Sequence, residues 1–266
     1  MPDRPAADHS WLQLAGKRAL ISGGTRNVGR AVAEGFADAG ADVAVIGGSD
    51  QQALEDTLKS LAQRNIRSAG VLQPLEDAAR LPAAVDACVQ EIGPVDILVN
   101  VAAVRPHIEA EDISVEQWDR VMAINLRAPF LLAQNVIPGM RDRGFGRVIN
   151  FSGINAYWGR RNRSHVVTSK GGMVALTRAL ATDTARDGIT VNTVVPATID
   201  TERSHPEWYP NAPQRRQNQL ARIPMGRLGT TDEVVAVVLF LASPRASYVT
   251  AQEMFVTGGS YPLVAG

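Results

Sequence analysis

Lys170 stands in the run His165-Val166-Val167-Thr168-Ser169-Lys170-Gly171-Gly172, and the spacing within that run sets what chemistry it can support. Residues 166 and 170 are one helical turn apart and share a face. An amine in a partly desolvated pocket there could act as a base or as a Schiff-base nucleophile. His165 offers a proton donor whose pKa lies near neutrality, but it sits one residue off that face, about 100° around the helix. Tyr157, in the preceding loop, is a second candidate acid. Either residue could equally be packed beside its own turn.

A second group of residues points to an anionic ligand. Ser22-Gly23-Gly24-Thr25-Arg26-Asn27-Val28-Gly29 forms a glycine-rich turn in which backbone N–H groups and a helix N-terminus can meet a pyrophosphate. Arg105 and His107 lie in one loop, and Arg160, Arg161 and Arg163 in another. Arg203, His205, Arg215 and Arg216 lie in a third. If several of these bases converge, a carboxylate or phosphate ester is the expected substrate. The alternative is that the loops are simply solvated.

The chain that carries these groups has 266 residues, 45% hydrophobic and 20% charged, with zero formal net charge. That suffices for the core of one α/β domain. Zero net charge argues against a nucleic-acid partner held by overall electrostatics. Cys88 is the single cysteine, so no intrachain disulfide is expected, and a reduced cytoplasmic compartment is the simplest reading. No apolar run of about twenty residues is present to span a membrane. His9, His107, His165 and His205 are too scattered for a zinc site, and no metal is expected.

Short β-branched runs at 17–22, 42–46, 95–100, 146–152, 189–195 and 253–257, with a weaker one at 66–72, read as buried strands. Helical periodicity covers 28–39, 51–64, 82–92, 115–140, 164–186 and 231–242. Uninterrupted β-α-β alternation predicts a parallel sheet of about seven strands with helices on both faces. Residues 1–13 read as a flexible polar lead-in and 14–266 as one domain. A lid-like insertion, rich in Pro, Arg, Gln and Asn, is expected at about 198–224.

With these motifs in order, residues from about 14 to 259 resemble the short-chain dehydrogenase/reductase family, whose fold is a single-domain, Rossmann-type doubly wound parallel sheet. The family's Thr-Gly-x-x-x-Gly-x-Gly turn is matched at Gly23 and Gly29, with Ser22 for the Thr and a departure at Asn27. Asparagine tolerates left-handed backbone geometry, so the turn is expected to survive, although its side chain could crowd a phosphate. Asn100-Val101-Ala102-Ala103 partly matches Asn-Asn-Ala-Gly, Asn125 matches a helical active-site Asn, and Val256-Thr257-Gly258-Gly259 resembles Val-Asp-Gly-Gly. Pro196-Ala197-Thr198-Ile199-Asp200-Thr201 resembles Pro-Gly-x-x-x-Thr, which faces the nicotinamide carboxamide.

The resemblance implies that Ser22, Gly23, Thr25, Arg26, Asn27, Val28, Gly29, Gly48, Ser49, Asn100, Ala102, Pro196, Ile199 and Thr201 hold a dinucleotide, with Lys170 on the nicotinamide ribose. Lys170 and Asn125, with His165 and Tyr157 as candidate acids, form the expected catalytic set. Arg105, His107, Gly153, Arg160 and Arg163 are expected to face substrate.

The family's catalytic Ser and Tyr fall on Gly153 and Val166. Ser152 is a poor substitute because strand neighbours face opposite ways. Losing a positioned general acid lowers rate by about 10²–10⁴-fold, and losing an alkoxide donor by about 10²–10³-fold. The second strand ends Ile46-Gly47-Gly48-Ser49 without a carboxylate, and Arg26 occupies a position suited to a 2′-phosphate. NADP is therefore favoured over NAD, the alternative being that Arg26 caps a surface loop.

Three functions stay open: an NADP-dependent oxidoreductase of a small polar carbonyl or hydroxyl compound, anionic if the basic loops converge; a non-redox lyase, isomerase, hydrolase or dehydratase that uses no cofactor in catalysis; and a silent cofactor-binding partner subunit. By resemblance, a homotetramer is expected.

Overall fold

Seven strands, the central five too apolar to leave a face in water, dictate the architecture. In the computed structural model, which describes residues 13–201 and 220–262, they form one parallel sheet in the order β3-β2-β1-β4-β5-β6-β7. β1 (Arg18–Ser22), β2 (Asp42–Gly47), β4 (Ile97–Asn100), β5 (Gly146–Phe151) and β6 (Ile189–Pro196) are buried almost throughout. β3 (Ser68–Leu72) and β7 (Glu253–Val256) are the more accessible edges. The expected doubly wound sheet is thus present. Of the expected lid, residues 202–219 lie outside the described residues, as do 1–12 of the expected lead-in. No described helix is long and apolar enough to cross a membrane.

Two hydrophobic clusters cover the sheet. One joins α1 (Asn27–Asp38), α2 (Gln51–Leu61) and α8 (Thr231–Ala242) around Phe36, Val43, Ile97 and Leu241. The other joins α3 (Leu81–Ile92), α5 (Ala128–Asp142) and α7 (Ser164–Thr184) around Leu98, Leu132, Met140 and Val148. The chain reverses its winding between β1 and β4, so a crevice opens beyond their C-terminal ends.

One expected helix, 115–140, is two. α4 (Val115–Met122) and α5 are joined by a π turn at Ala123–Arg127, where the Ala128 N–H reaches back to the Ala123 carbonyl. Pro129 explains the change of winding. It has no N–H to give to the carbonyl of residue 125, and its ring opposes an α-helical carbonyl there. A four-residue helix, α6 (Asn155–Trp158), follows β5.

Helix beginnings differ in a way that matters for ligands. α4 and α8 start with capping boxes, Ser114/Gln117 and Thr230/Glu233, and Asp50 caps α2. α1 has no side-chain cap and no acid in its first turn. Its leading N–H groups are therefore left for another acceptor. Three contacts shape the turn before it. A Cβ at Gly29 would lie 2.0 Å from the Gly23 carbonyl oxygen, one at Gly23 would lie 2.8 Å from the Ala102 backbone, and one at Gly24 would lie 2.6 Å from Val45.

Gly29→Ala is accordingly expected to destabilise the fold by about 1–3 kcal/mol through overpacking, lowering Tm by roughly 2–4 °C per kcal/mol. A thermal melt indistinguishable from wild type would show that the turn can relax.

Candidate active site

β1 ends in the turn that brings the crevice together. The Val101 and Ala102 N–H groups both donate to the Ser22 carbonyl at 3.1 Å, so the segment after β4 is sewn to the end of β1. Asn27 adopts φ +48°, the left-handed geometry that asparagine accepts. Its Oδ1 is buried with no partner among the described residues, the kind of orphan that a ligand or water satisfies. Thr25 is buried beneath the turn and its carbonyl accepts from Thr57. Arg26 extends to the Asp50 carboxylate, which also accepts the Ala53 N–H at 2.9 Å. Gly48 and Ser49 are exposed beside this pair.

Asn100 is built into the sheet rather than turned into the crevice. Ser22 donates to it at 3.4 Å, its own amide donates to Asn150 at 2.9 Å, and Asn150 donates to Thr177 at 2.9 Å. Thr193 donates to the same Thr177 hydroxyl at 2.7 Å. Asn150, Thr177 and Thr193 were not singled out in the sequence. A polar residue inside an apolar strand was the available signal.

α7 carries the amine. Lys170 is 5% exposed, and its Nζ donates to the Phe151 carbonyl at 2.7 Å. Burial, with the charge of Arg105 as the smaller cause, pushes its pKa down to about 7. The Asn125 side chain, at the π turn, ties the neighbouring pieces together. It accepts from Val104 N–H at 2.9 Å and donates to both the Val104 carbonyl and Ser169 Oγ at 3.0 Å. Ser169 in turn donates to the Val166 carbonyl at 2.8 Å. One asparagine thus holds the segment bearing Arg105 against the turn bearing Lys170.

Around this amine, the two positions identified in the sequence are empty of donors. Val166 is buried and apolar. No atom lies within 4 Å of where a Gly153 Cβ would be, so open space adjoins that residue. Ser152 faces away from it and donates to the Lys170 backbone carbonyl at 2.9 Å.

The candidate acids are placed differently from each other. His165 is fully buried, and both ring nitrogens lack partners among the described residues. Burial first, and the charge of Arg163 second, lower its pKa. Tyr157 gives its hydroxyl to Glu253, which also pairs with Arg178, and its ring packs 5.1 Å from both Phe255 and Tyr261. Arg178 is eight residues beyond Lys170, about 12 Å along α7. The structure therefore ties Tyr157 to the sheet edge rather than to the amine.

The expected cationic rim is partly assembled. His107 Nε2 meets the Arg163 guanidinium, and the Ile108 N–H donates to the Asn162 carbonyl at 2.9 Å, zipping the loops after β4 and β5 together. Arg105 acts electrostatically on Lys170, whereas Arg160 is exposed in its loop. At the end of β6, Pro196 accepts the Ile154 N–H, and beyond it Ile199 bridges to Gly229 with Thr201 two residues further on. Among the described residues no His, Cys, Asp and Glu group could hold a metal ion.

Comparison with known proteins places this geometry. The family described as enoyl-(acyl carrier protein) reductase matches residues 23–261. Acetoacetyl-CoA reductase of Rhizobium meliloti is 36% identical over 249 residues, covering 91% of this chain and 98% of that one. The 3-oxoacyl-[acyl-carrier-protein] reductase of Vibrio cholerae is 33% identical, with 94% and 99% covered. Among solved structures, a putative NAD(P)-dependent gluconate 5-dehydrogenase from Beutenbergia cavernae with bound NADP is 32% identical with a TM-score of 0.85. It covers 94% of this chain and 98% of that one.

The lowered pKa of Lys170 has a direct readout. Acylation by acetic anhydride across a pH series, followed by peptide mass spectrometry, should reach half-maximum at Lys170 near pH 7. An ordinary lysine, with a pKa of about 10.4, is almost wholly protonated there. A midpoint in that ordinary range would mean that the amine is better solvated than its burial implies.

Proposed function

The chain belongs to the short-chain dehydrogenase/reductase family, and on that premise we propose that it is an NADP-dependent oxidoreductase of a small, polar, anionic carbonyl or hydroxyl compound, working through a non-standard active site. The observation that carries the cofactor part is the turn from Ser22 to Gly29. Its glycines are irreplaceable by contact, α1 behind it lacks a cap, and Asn27 leaves a buried orphan oxygen. These features fit a pyrophosphate. Residues Gly23 to Gly29 would hold it, Ala102, Pro196, Ile199 and Thr201 would flank the nicotinamide half, and Lys170 would bind the ribose. When bound, the nicotinamide supplies or accepts a hydride.

Preference for the 2′-phosphate is assigned to Arg26, with Gly48 and Ser49 leaving room for it. Asp50 is already engaged as the α2 cap and as the partner of Arg26, which favours a phosphate replacing it over a ribose hydroxyl joining it. Bound NADP in the Beutenbergia cavernae structure supports the same choice.

Proton handling falls to Lys170 and His165, both biased by burial toward their neutral forms. Asn125 positions the first of them. Arg105, His107 and Arg163 draw the anionic end of the substrate, beside the open space at Gly153. Absence of donors at both Val166 and Gly153 is the specific observation that favours the second reading, non-redox chemistry on this scaffold.

A homotetramer belongs to the same proposal. An open groove of about 570 Å³ runs between Met122, Leu126 and Phe130 on one side and Gly172 and Leu176 on the other, and a second copy would cover it.

Calorimetry with NADPH and NADH tests the cofactor reading. Arg26→Ala should weaken NADPH binding by roughly tenfold to a hundredfold, one charge-assisted contact, while leaving NADH binding nearly unchanged. Absence of binding heat for either nucleotide in the wild-type protein would sink the oxidoreductase proposal. For assembly, Phe130→Glu should reduce the mass measured by light scattering, and an unchanged mass would place any interface elsewhere.

A further inference from the structure

The surroundings of Lys170 suit covalent chemistry that needs no nicotinamide. We propose that the Lys170 amine is a nucleophile that captures the ketone of a small 3-oxo acid as an imine and promotes loss of its carboxylate, with Arg105 attracting that carboxylate. Four observations carry this. First, the Lys170 amine donates its hydrogen bond to the Phe151 carbonyl, and among the described residues no ion pair involves it. A carbonyl takes one N–H and leaves the lone pair of a neutral amine available, whereas a carboxylate would hold the proton in place. Second, the wall one turn before it is Val166, apolar and buried, where a hydroxyl would otherwise compete for the amine. Third, Gly153, two residues after the Phe151 anchor, borders open space. Fourth, Asn125 ties Val104, the residue before Arg105, to Ser169, the residue before Lys170, so the segment bearing the cation is held to the turn bearing the amine.

Desolvation and a neighbouring cation are the two conditions that make a lysine nucleophilic near neutrality, and the value of about 7 for Lys170 agrees with both. The charged group bearing on the amine is Arg105, from the segment after β4, while Arg163, at the start of α7, bears on His165.

The step balances without an oxidant or reductant. The neutral amine adds to the ketone carbon. The carbinolamine oxygen takes one proton from that nitrogen and one from solvent, then leaves as water, giving an iminium ion. The bond from the neighbouring carbon to the carboxylate breaks, its electron pair flows toward the iminium nitrogen, and carbon dioxide departs. The resulting enamine carbon takes a proton from solvent, and water hydrolyses the iminium to release the ketone and the amine. Only an oxo group one carbon removed from the carboxylate allows that electron flow, which is why the substrate class is a 3-oxo acid.

The sequence makes the test clean, because Lys17 and Lys59 are the other lysines in the chain. Full-length protein without nucleotide is incubated with acetoacetate and sodium cyanoborohydride, then digested and mapped by mass spectrometry. The expected product is an N-isopropyl group on Lys170 in preference to Lys17, Lys59 and the α-amino group. The label at that position should be lost in Lys170→Arg. Arg105→Gln should keep the amine but raise the acetoacetate concentration for half-labelling by roughly tenfold, the loss of one charge-assisted contact. Labelling of Lys170 no greater than that of Lys17 and Lys59 would overturn the proposal. An adduct that retains the carboxylate would overturn its decarboxylation step. Because no nucleotide is present, either result is independent of whether NADP binds.

Discussion

Two buried charges, treated in opposite ways, organise the two ends of the sheet. At the N-terminal end Asp96 is 4% exposed and is met by Arg18 and Arg143, with the Arg18 backbone N–H adding a further bond. These contacts lock β1, β4 and α5 together. At the C-terminal end the Lys170 amine is equally buried but is given a carbonyl dipole and a neighbouring cation. A dipole offsets only part of the desolvation, so the proton is held loosely. The π turn, the tether through Asn125 and the segment carrying Arg105 make sense as the frame of that poorly compensated amine.

Much of this was legible in the chain. Strands buried on both faces must be continuous apolar runs, and β1, β2, β4, β5 and β6 announce themselves that way. The left-handed residue at Asn27 could be anticipated because few side chains tolerate that backbone, and Val166 stood out because the family resemblance implies a tyrosine at that position. The π turn was hidden for a physical reason. Apolar spacing of 3.6 residues persists on both sides of it, and one extra residue merely rotates the second half of the stripe. Pro129 was the local sign, since it denies residue 125 its helical partner.

The rest depended on contacts that spacing cannot express. Tyr157 and Glu253 are 96 residues apart, and nothing near either residue announces the other. The sequence placed Tyr157 near substrate because its loop follows β5. The ring itself packs in an aromatic cluster with Phe255 and Tyr261, a contact that no local spacing announces. Arg26 shows the converse, since its proximity to the end of β2 was legible but its engagement with the Asp50 cap was not. Asn100 was legible as a residue at the crevice, yet its amide is consumed within the sheet.

That amide has a consequence for how the sheet finds its alignment. Ser22 is directly opposite Asn100, Asn100 opposite Asn150, and Asn150 opposite Thr193. Four adjacent strands therefore each contribute one polar residue to a single transverse row in an otherwise greasy layer. Valines and isoleucines alone discriminate poorly between neighbouring registers, whereas a slip of one residue in β5 would leave buried amides facing hydrocarbon. The row works as an alignment key, and at Ser22 and Asn100 it reaches the C-terminal ends of β1 and β4, beside the crevice. Substitutions that retune chemistry at the head of the sheet thus act at the same layer where the pairing of its central strands is decided.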